Sequence, residues 1–191
     1  NVWPISRRRS RSSNHSWNAC NVPEVHTKRI MVGADSIDIH RHVNNQEYLC
    51  WMQDVAIEHS TRLGWPMGRY LEIGASWYVK SHFIEYLRPA LLGDALLACT
   101  WVAGMSERSS PRHTLFVRED DHQIVARAET QWIFVSLKNG RPLAIPDAVR
   151  TAFPVVESEA AALLRIKTRS APPPAATRPP SDCRRQARPP P

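Results

Sequence analysis

Between residues 45 and 63 the apolar positions recur every three to four residues. Tyr48, Met52, Val55 and His59 fall on one stripe, and Leu49 and Ala56 widen it. Glu47, Asp54, Glu58 and Thr61 occupy the opposite face, and Gly64 before Trp65-Pro66 supplies a stop. The pattern predicts a helix of about five turns whose broad apolar face has to be covered.

Elsewhere the period shortens to two. Residues 24–34 ("EVHTKRIMVGA"), 76–89 ("SWYVKSHFIEYLRP"), 94–105 ("DALLACTWVAGM") and 113–120 ("HTLFVRED") are rich in β-branched and aromatic residues. The clearest case is "QIVARAETQWIFVSL". There Ile124, Ala126, Ala128, Thr130, Trp132 and Phe134 alternate with a more polar set. The small Ala126 and Ala128 leave room for a helix to lie close. Asn139-Gly140 marks a turn, and "IPDAVRTAF" predicts a short helix with Pro146 at its first position. The expected fold class is α+β: one domain, with an antiparallel sheet of about five strands and one long helix. A single helix leaves sheet edges exposed, so at least a homodimer is expected.

Composition divides the 191 residues into three parts. The formal net charge is +7, but residues 1–22 carry four arginines and no acid, and residues 156–191 carry seven basic residues against three acidic ones. Residues 23–155 are close to neutral, with 14 basic residues against 15 acidic. The basic character thus belongs to the ends and says little about the folded part. An Arg/Ser-rich leader (1–22) and a Pro/Arg-rich tail (156–191) are both expected to be disordered, and 23–155 to form the domain. Nucleic acid is an unlikely partner on this reading, since tail charge of this kind is usually just solvated. No run approaches the length of a membrane span. Cys20, Cys50, Cys99 and Cys183 lack metal-like spacing, so neither a zinc site nor a disulfide framework is expected. A cytoplasmic location fits, with an organellar one as the alternative if the acid-free leader is a transit peptide.

The chemistry gathers directly before the long helix, in "SIDIHRHVNNQEYLCWM". Asp38, His40, His42, Asn44 and Asn45 are more polar groups than a helix cap needs. One reading is simply a cap, Asn44 or Asn45, with the other side chains in water. A second is a metal site: on an extended backbone residues 38, 40 and 42 share one side, with His59 or His82 as further ligands. A third is catalytic. The first N–H groups of a helix have no internal partner, carry partial positive charge, and stabilise a developing oxyanion. Asp38 then supplies a carboxylate as nucleophile or as base for water, and His42 orients it. No proton donor suited to a poor leaving group is evident. A thiol, with a pKa of about 8.5, departs without one, so thioester hydrolysis is favoured over amide hydrolysis.

These residues also carry a resemblance. "DIHRHVNNQEYLCWMQDVAIEH", "HFIEYLRPALLGDALLACTWV" and "ETQWIFVSLKNGRPLAIP" resemble the hot-dog-fold acyl-CoA thioesterases of the 4-hydroxybenzoyl-CoA thioesterase type, over roughly residues 24–155. The resemblance implies an antiparallel sheet wrapped around a long helix, and a homodimer or homotetramer with active sites at the dimer interface. It assigns Asp38 as the catalytic carboxylate and His42, Asn44 and Asn45 as the string that follows, with the backbone N–H near Asn45 as oxyanion donor. Tyr48 matches the aromatic of the first helical turn. Arg41 stands where the family commonly has glycine, so a turn with φ > 0 there would be strained. Ser36 stands where a first aspartate is frequent.

Acyl-CoA is the substrate the resemblance implies, and no cofactor or metal is expected. Lys80, Arg88 and Arg112 are candidates for the phosphates of CoA. Trp51, Trp77 and Trp132 are candidates for the acyl pocket, and His82 for a residue reaching the site from the partner. A hydratase of the same fold usually resembles an Asp-x-Asn-Pro-x-His string, which is missing here. A thioesterase acting on acyl carrier protein and a non-catalytic acyl-CoA-binding module are the remaining alternatives.

Overall fold

The computed structural model describes residues 24–170. The leader and the Pro/Arg-rich stretch after residue 170 lie outside the described residues, as do Cys20 and Cys183. Five strands, β1 (His26–Met31), β2 (Ala75–Tyr86), β3 (Ala95–Val102), β4 (Ser109–Arg118) and β5 (Ile124–Ser136), form one antiparallel sheet in the order β1-β3-β4-β5-β2. The long helix α1 (Asn45–Arg62) lies on the inner face. Short helices α2 (Met67–Glu72) and α3 (Asp147–Ala152) cover its C-terminal end, and α4 (Glu159–Ser170) follows the last strand. This is the hot-dog arrangement of the α+β class, as expected.

Alternation along the strands decides which side chains meet α1. On β3, Leu96, Ala98 and Thr100 face inward while Leu97, Cys99 and Trp101 face out. Tyr48, Met52 and Val55 pack into Leu96, Ala98, Phe116, Ala126 and Ala128. The three alanines keep the sheet surface low, so the helix sits close, as Ala126 and Ala128 suggested. Tyr48, Met52, Val55, Ala56 and His59 are the buried face of α1, whereas Leu49 is 38% exposed and leaves the stripe.

Four expectations are corrected. The chain does not become a disordered tail at residue 156. The Val156 N–H donates to the Val102 carbonyl at 2.9 Å, and α4 follows, with Val156 and Ala162 buried against Cys99, Trp101 and Leu115. The outward side chains of β3 are apolar and need a cover, and "EAAALLRI" provides one. Averaged with the prolines beyond it, that short stretch lost its helical signature. Ion pairs Glu24–Arg165 and Arg127–Glu159 hold α4 at its flanks. Second, β4 begins at Ser109, four residues before the expected start. Pro111 reads as a strand stop, yet it sits in register opposite Gln131 and contributes its carbonyl to the Ala103 N–H. Third, the sequence reading placed no helix between Pro66 and Ser76, and α2 lies there, capped by Pro66. Fourth, Pro146 precedes α3 as its cap instead of occupying the first position.

Because Ala162 is fully buried beneath this cover, Ala162→Arg is expected to lower stability by about 2–4 kcal/mol through burial of an unpaired charge. A clear fall in melting temperature checks this; an unchanged Tm would show that α4 is not a structural part of the domain.

Candidate active site

The loop before α1 is a tight hairpin. Ile37 and Val43 form an antiparallel bridge, the Asp38 N–H donates to the His42 carbonyl (2.9 Å), and the Arg41 N–H donates to the Asp38 carbonyl (3.0 Å). The Asp38 Oδ1 accepts the His40 N–H at 2.8 Å, an Asx turn that fixes the carboxylate over the loop. Asp38 Oδ2 is left facing the His42 ring, 3.7 Å from its Nδ1. The Asp38 side chain is 23% exposed. The stretch is therefore folded back, not extended, and His40 stacks on His42 with ring centroids 5.7 Å apart. That removes the geometry on which the three-residue metal reading relied.

Two further bonds pin the hairpin to the domain. The Val43 N–H donates to the Ala90 carbonyl at 2.9 Å, and the Asn44 N–H to the Ser36 carbonyl at 2.8 Å. Ser36 also donates its hydroxyl to Glu47 in the first turn of α1, at 3.1 Å. Ala90 belongs to the "RPALLGD" turn, which Asp94 organises by accepting the Leu91 N–H (2.9 Å) and pairing with Arg118 (3.0 Å). This second segment of the resemblance thus holds in place the loop that carries Asp38.

Asn44 is the N-cap, with its Oδ1 accepting the Gln46 N–H at 2.9 Å and its carbonyl accepting the Glu47 N–H at 3.0 Å. The Asn45 N–H is left without an acceptor among the described residues, at the positive end of an 18-residue helix. Asp38, His42, Asn44 and Asn45 are thus brought together, by one loop. Tyr86 joins them from the end of β2: its hydroxyl donates to the Asn45 carbonyl at 3.3 Å. The sequence reading missed Tyr86, though its place on the inward parity of β2 was a signal.

The expected substrate-binding residues separate. Tyr48 is 2% exposed, edge-on to Phe116 and Tyr86, and burial pushes its hydroxyl up to about 12. It is a core residue beneath the site. Trp51 is half-buried beside it, with ring centroids 5.4 Å apart. His82 faces inward on β2, paired with the Thr130 hydroxyl at 3.0 Å, and burial lowers its pKa. Lys80 is exposed at the β2 bulge, and Arg88 is exposed just past the strand.

Arg112 differs from Lys80 and Arg88. It is not a surface cation but lies on the inner face of β4, 6% exposed, with Nη1 against the His59 Nδ1 (3.0 Å) and the Thr100 hydroxyl (3.3 Å). Thr114 and Phe116 share its parity, so position 112 has to point at α1. It lines a cleft, open to solvent, between the C-terminal half of α1, α2 and the near ends of β2 and β5. Trp65, Trp77, Trp132 and Phe153 form its walls. Trp77 and Trp132 therefore line this cleft, whereas Trp51 does not. The cleft lies roughly 20 Å along α1 from Asn45, at 1.5 Å per residue.

A five-stranded antiparallel sheet around one long helix is the hot-dog arrangement. Residues 32–153 match the family model of the thioesterase-like superfamily, and the chain belongs to that family. It is 26% identical over 125 residues to the long-chain acyl-CoA thioesterase FadM of Escherichia coli (strain K12), covering 64% of this chain and 92% of that protein. Among solved structures it is similar to Slr0204, a 1,4-dihydroxy-2-naphthoyl-CoA thioesterase from Synechocystis. That match has a TM-score of 0.62 and 18% identity, over 68% of this chain and 95% of that one. It is also similar to SAV2348 from Staphylococcus aureus, solved in complex with CoA (TM-score 0.63, 16% identity, 86% and 96% coverage).

Arg41 has φ 64°, the left-handed conformation in which glycine is free of strain, and that explains why its place in the pattern favours glycine. Arg41→Gly is expected to melt at or above the parent temperature. Arg41→Val should lose about 1–2 kcal/mol, since a β-branched residue tolerates that conformation least. A Val variant as stable as the parent would contradict the turn.

Proposed function

We propose that this acyl-CoA thioesterase cleaves its substrate where Asp38 meets the N-terminus of α1. The observation that carries the reading is a single pinned loop that presents both a carboxylate oxygen and a spare helix N–H. The thioester carbonyl oxygen accepts the Asn45 N–H, and the dipole of α1 favours the negative charge that grows on it. Oδ1 of Asp38 is committed to the His40 N–H, so Oδ2 is the reactive oxygen. It either attacks the carbonyl carbon, giving an anhydride that water opens, or takes a proton from the water that attacks. The C–S bond breaks, sulfur leaves as thiolate and is protonated. The balance is one thioester and one water to one carboxylic acid and one thiol. His42, beside Oδ2, holds the carboxylate in place.

The working unit on this reading is a homodimer joined through β2. That strand is a sheet edge of 12 residues, and Tyr78, Phe83 and Tyr86 on it are exposed. The other edge, β1, is half as long and is guarded by Lys28 and Arg29, paired with Glu58 and Glu119. Antiparallel pairing of two β2 strands about a two-fold axis sets the Trp77 end of one opposite the Tyr86 end of the other. Tyr86 touches Asn45, and Trp77 lines the cleft. Each carboxylate then stands beside the partner's cleft, and an acyl group held at one has its chain received by the other. The outer face of β3 is already covered by α4, which favours the dimer over a tetramer built on that face. Lys80 and Arg88, both exposed, are the cations offered to the CoA phosphates.

Asp38→Asn should lower kcat for acyl-CoA by roughly 10²–10⁴-fold while leaving melting and oligomeric state as in the parent. Thiol release at parent rates would end the reading. Phe83→Lys is expected to give a monomer by light scattering and to lose turnover in step. A dimer that survives this change would place the interface elsewhere.

A further inference from the structure

The cleft is apolar in its walls but not in its floor. Arg112 is nine-tenths buried there, and among the described residues no carboxylate lies within ion-pair distance of it. Its described hydrogen bonds use Nη1 alone, to His59 and Thr100. Burial lowers its pKa to about 10, yet at neutral pH it remains a cation. Trp132 also lines the cleft, and its indole N–H is buried with no acceptor among the described residues. Three other polar side chains nearby are already bonded within the protein. Ser60 donates to the Trp65 carbonyl, Tyr70 is bonded to Ser60 and to the Trp77 indole, and Ser110 donates to the Gly104 carbonyl. The lining thus carries one charge, the Arg112 cation, among neutral side chains, and no carboxylate. An unpaired buried cation is destabilising, and a carboxylate that arrives with a ligand relieves that cost with charge-assisted hydrogen bonds.

We infer that the cleft selects acyl groups whose far end carries a carboxylate, received by the Arg112 guanidinium with the Trp132 indole N–H as second donor. The inference rests on the proposed function in that the cleft is taken as the acyl site. The aromatic walls bury the intervening methylenes, and the anionic terminus gives the pocket its preference. Substrates of this class are mono-CoA thioesters of α,ω-dicarboxylic acids. A methyl-ended chain of the same length leaves both donors unmet, a mismatch that discriminates more strongly than one methylene more or less.

The test compares thiol release from matched pairs, C6 to C12, each a methyl-ended acyl-CoA and the ω-carboxy acyl-CoA of equal length. At the best length the parent should favour the carboxy-ended member by at least tenfold in kcat/KM. Arg112→Met should abolish or reverse that ratio, Trp132→Phe should reduce it several-fold, and Arg112→Lys should retain part of it. Calorimetry with free sebacate, and decanoate as control, on the Asp38→Asn protein reads the pocket without turnover; sebacate should bind more tightly, and Trp132→Phe in that background should weaken it. Equal or greater rates for methyl-ended chains at every length, or a preference that survives in a folded Arg112→Met protein, would overturn the inference and leave thioester hydrolysis standing. A parent protein that releases thiol from no acyl-CoA, while sebacate binding still depends on Trp132, would instead sink the proposed function and keep the anion site. Should Arg112→Met fail to fold, the Lys and Trp132→Phe variants carry the same comparison.

Discussion

The burial of α1 along the inner face of the sheet is the constraint from which the rest follows. A helix with five buried positions on one side can lie only where the strands present small residues, and Ala98, Ala126 and Ala128 provide that track. Once the helix is seated there, its N-terminus has to emerge where β2 and the 87–94 turn end. The hydrogen bonds from Val43 to Ala90 and from Asn44 to Ser36 then fix the preceding loop against the same point. The loop that carries Asp38 and the start of α1 are thus both fixed by the packing that stabilises the domain. The same helix carries His59 at its other end, against Arg112. One rod thus reaches from the loop that carries Asp38 to the floor of the cleft.

Much of this was legible in the residues, and the reasons differ between elements. Helix α1 and strand β5 were plain because each keeps one period over more than ten residues. The loop was legible as chemistry, since five polar groups before an apolar helix exceed what capping requires. It was not legible as geometry. The extended backbone of the metal reading is overturned by Arg41, whose φ of 64° turns the chain back on itself. The glycine usual at that place in the resemblance was the available signal.

What sequence hid is mostly tertiary. Arg112 was legible only as one of three candidate cations for the CoA phosphates. Only the parity of β4 opposite β3 and β5, with α1 across from it, turns the residue inward. Helix α4 was hidden by the prolines that follow it, and the demand for it came from residues about 60 positions earlier, the outward side chains of β3. The cleft is likewise assembled from α1, α2, β2, β4, β5 and the residues after α3, with no local signature in any of them.

The dimer, the position of the carbonyl and the use of the cleft meet in one observable. A crystal structure with an acyl-CoA analogue in which a methylene replaces the thioester sulfur locates the ketone oxygen directly. That oxygen is expected within hydrogen-bond distance of the Asn45 N–H, with Asp38 Oδ2 beside the carbonyl carbon and the acyl chain entering the cleft of the second protomer. A ketone bound away from the tip of α1, with Asp38 turned toward solvent, would contradict the proposed chemistry.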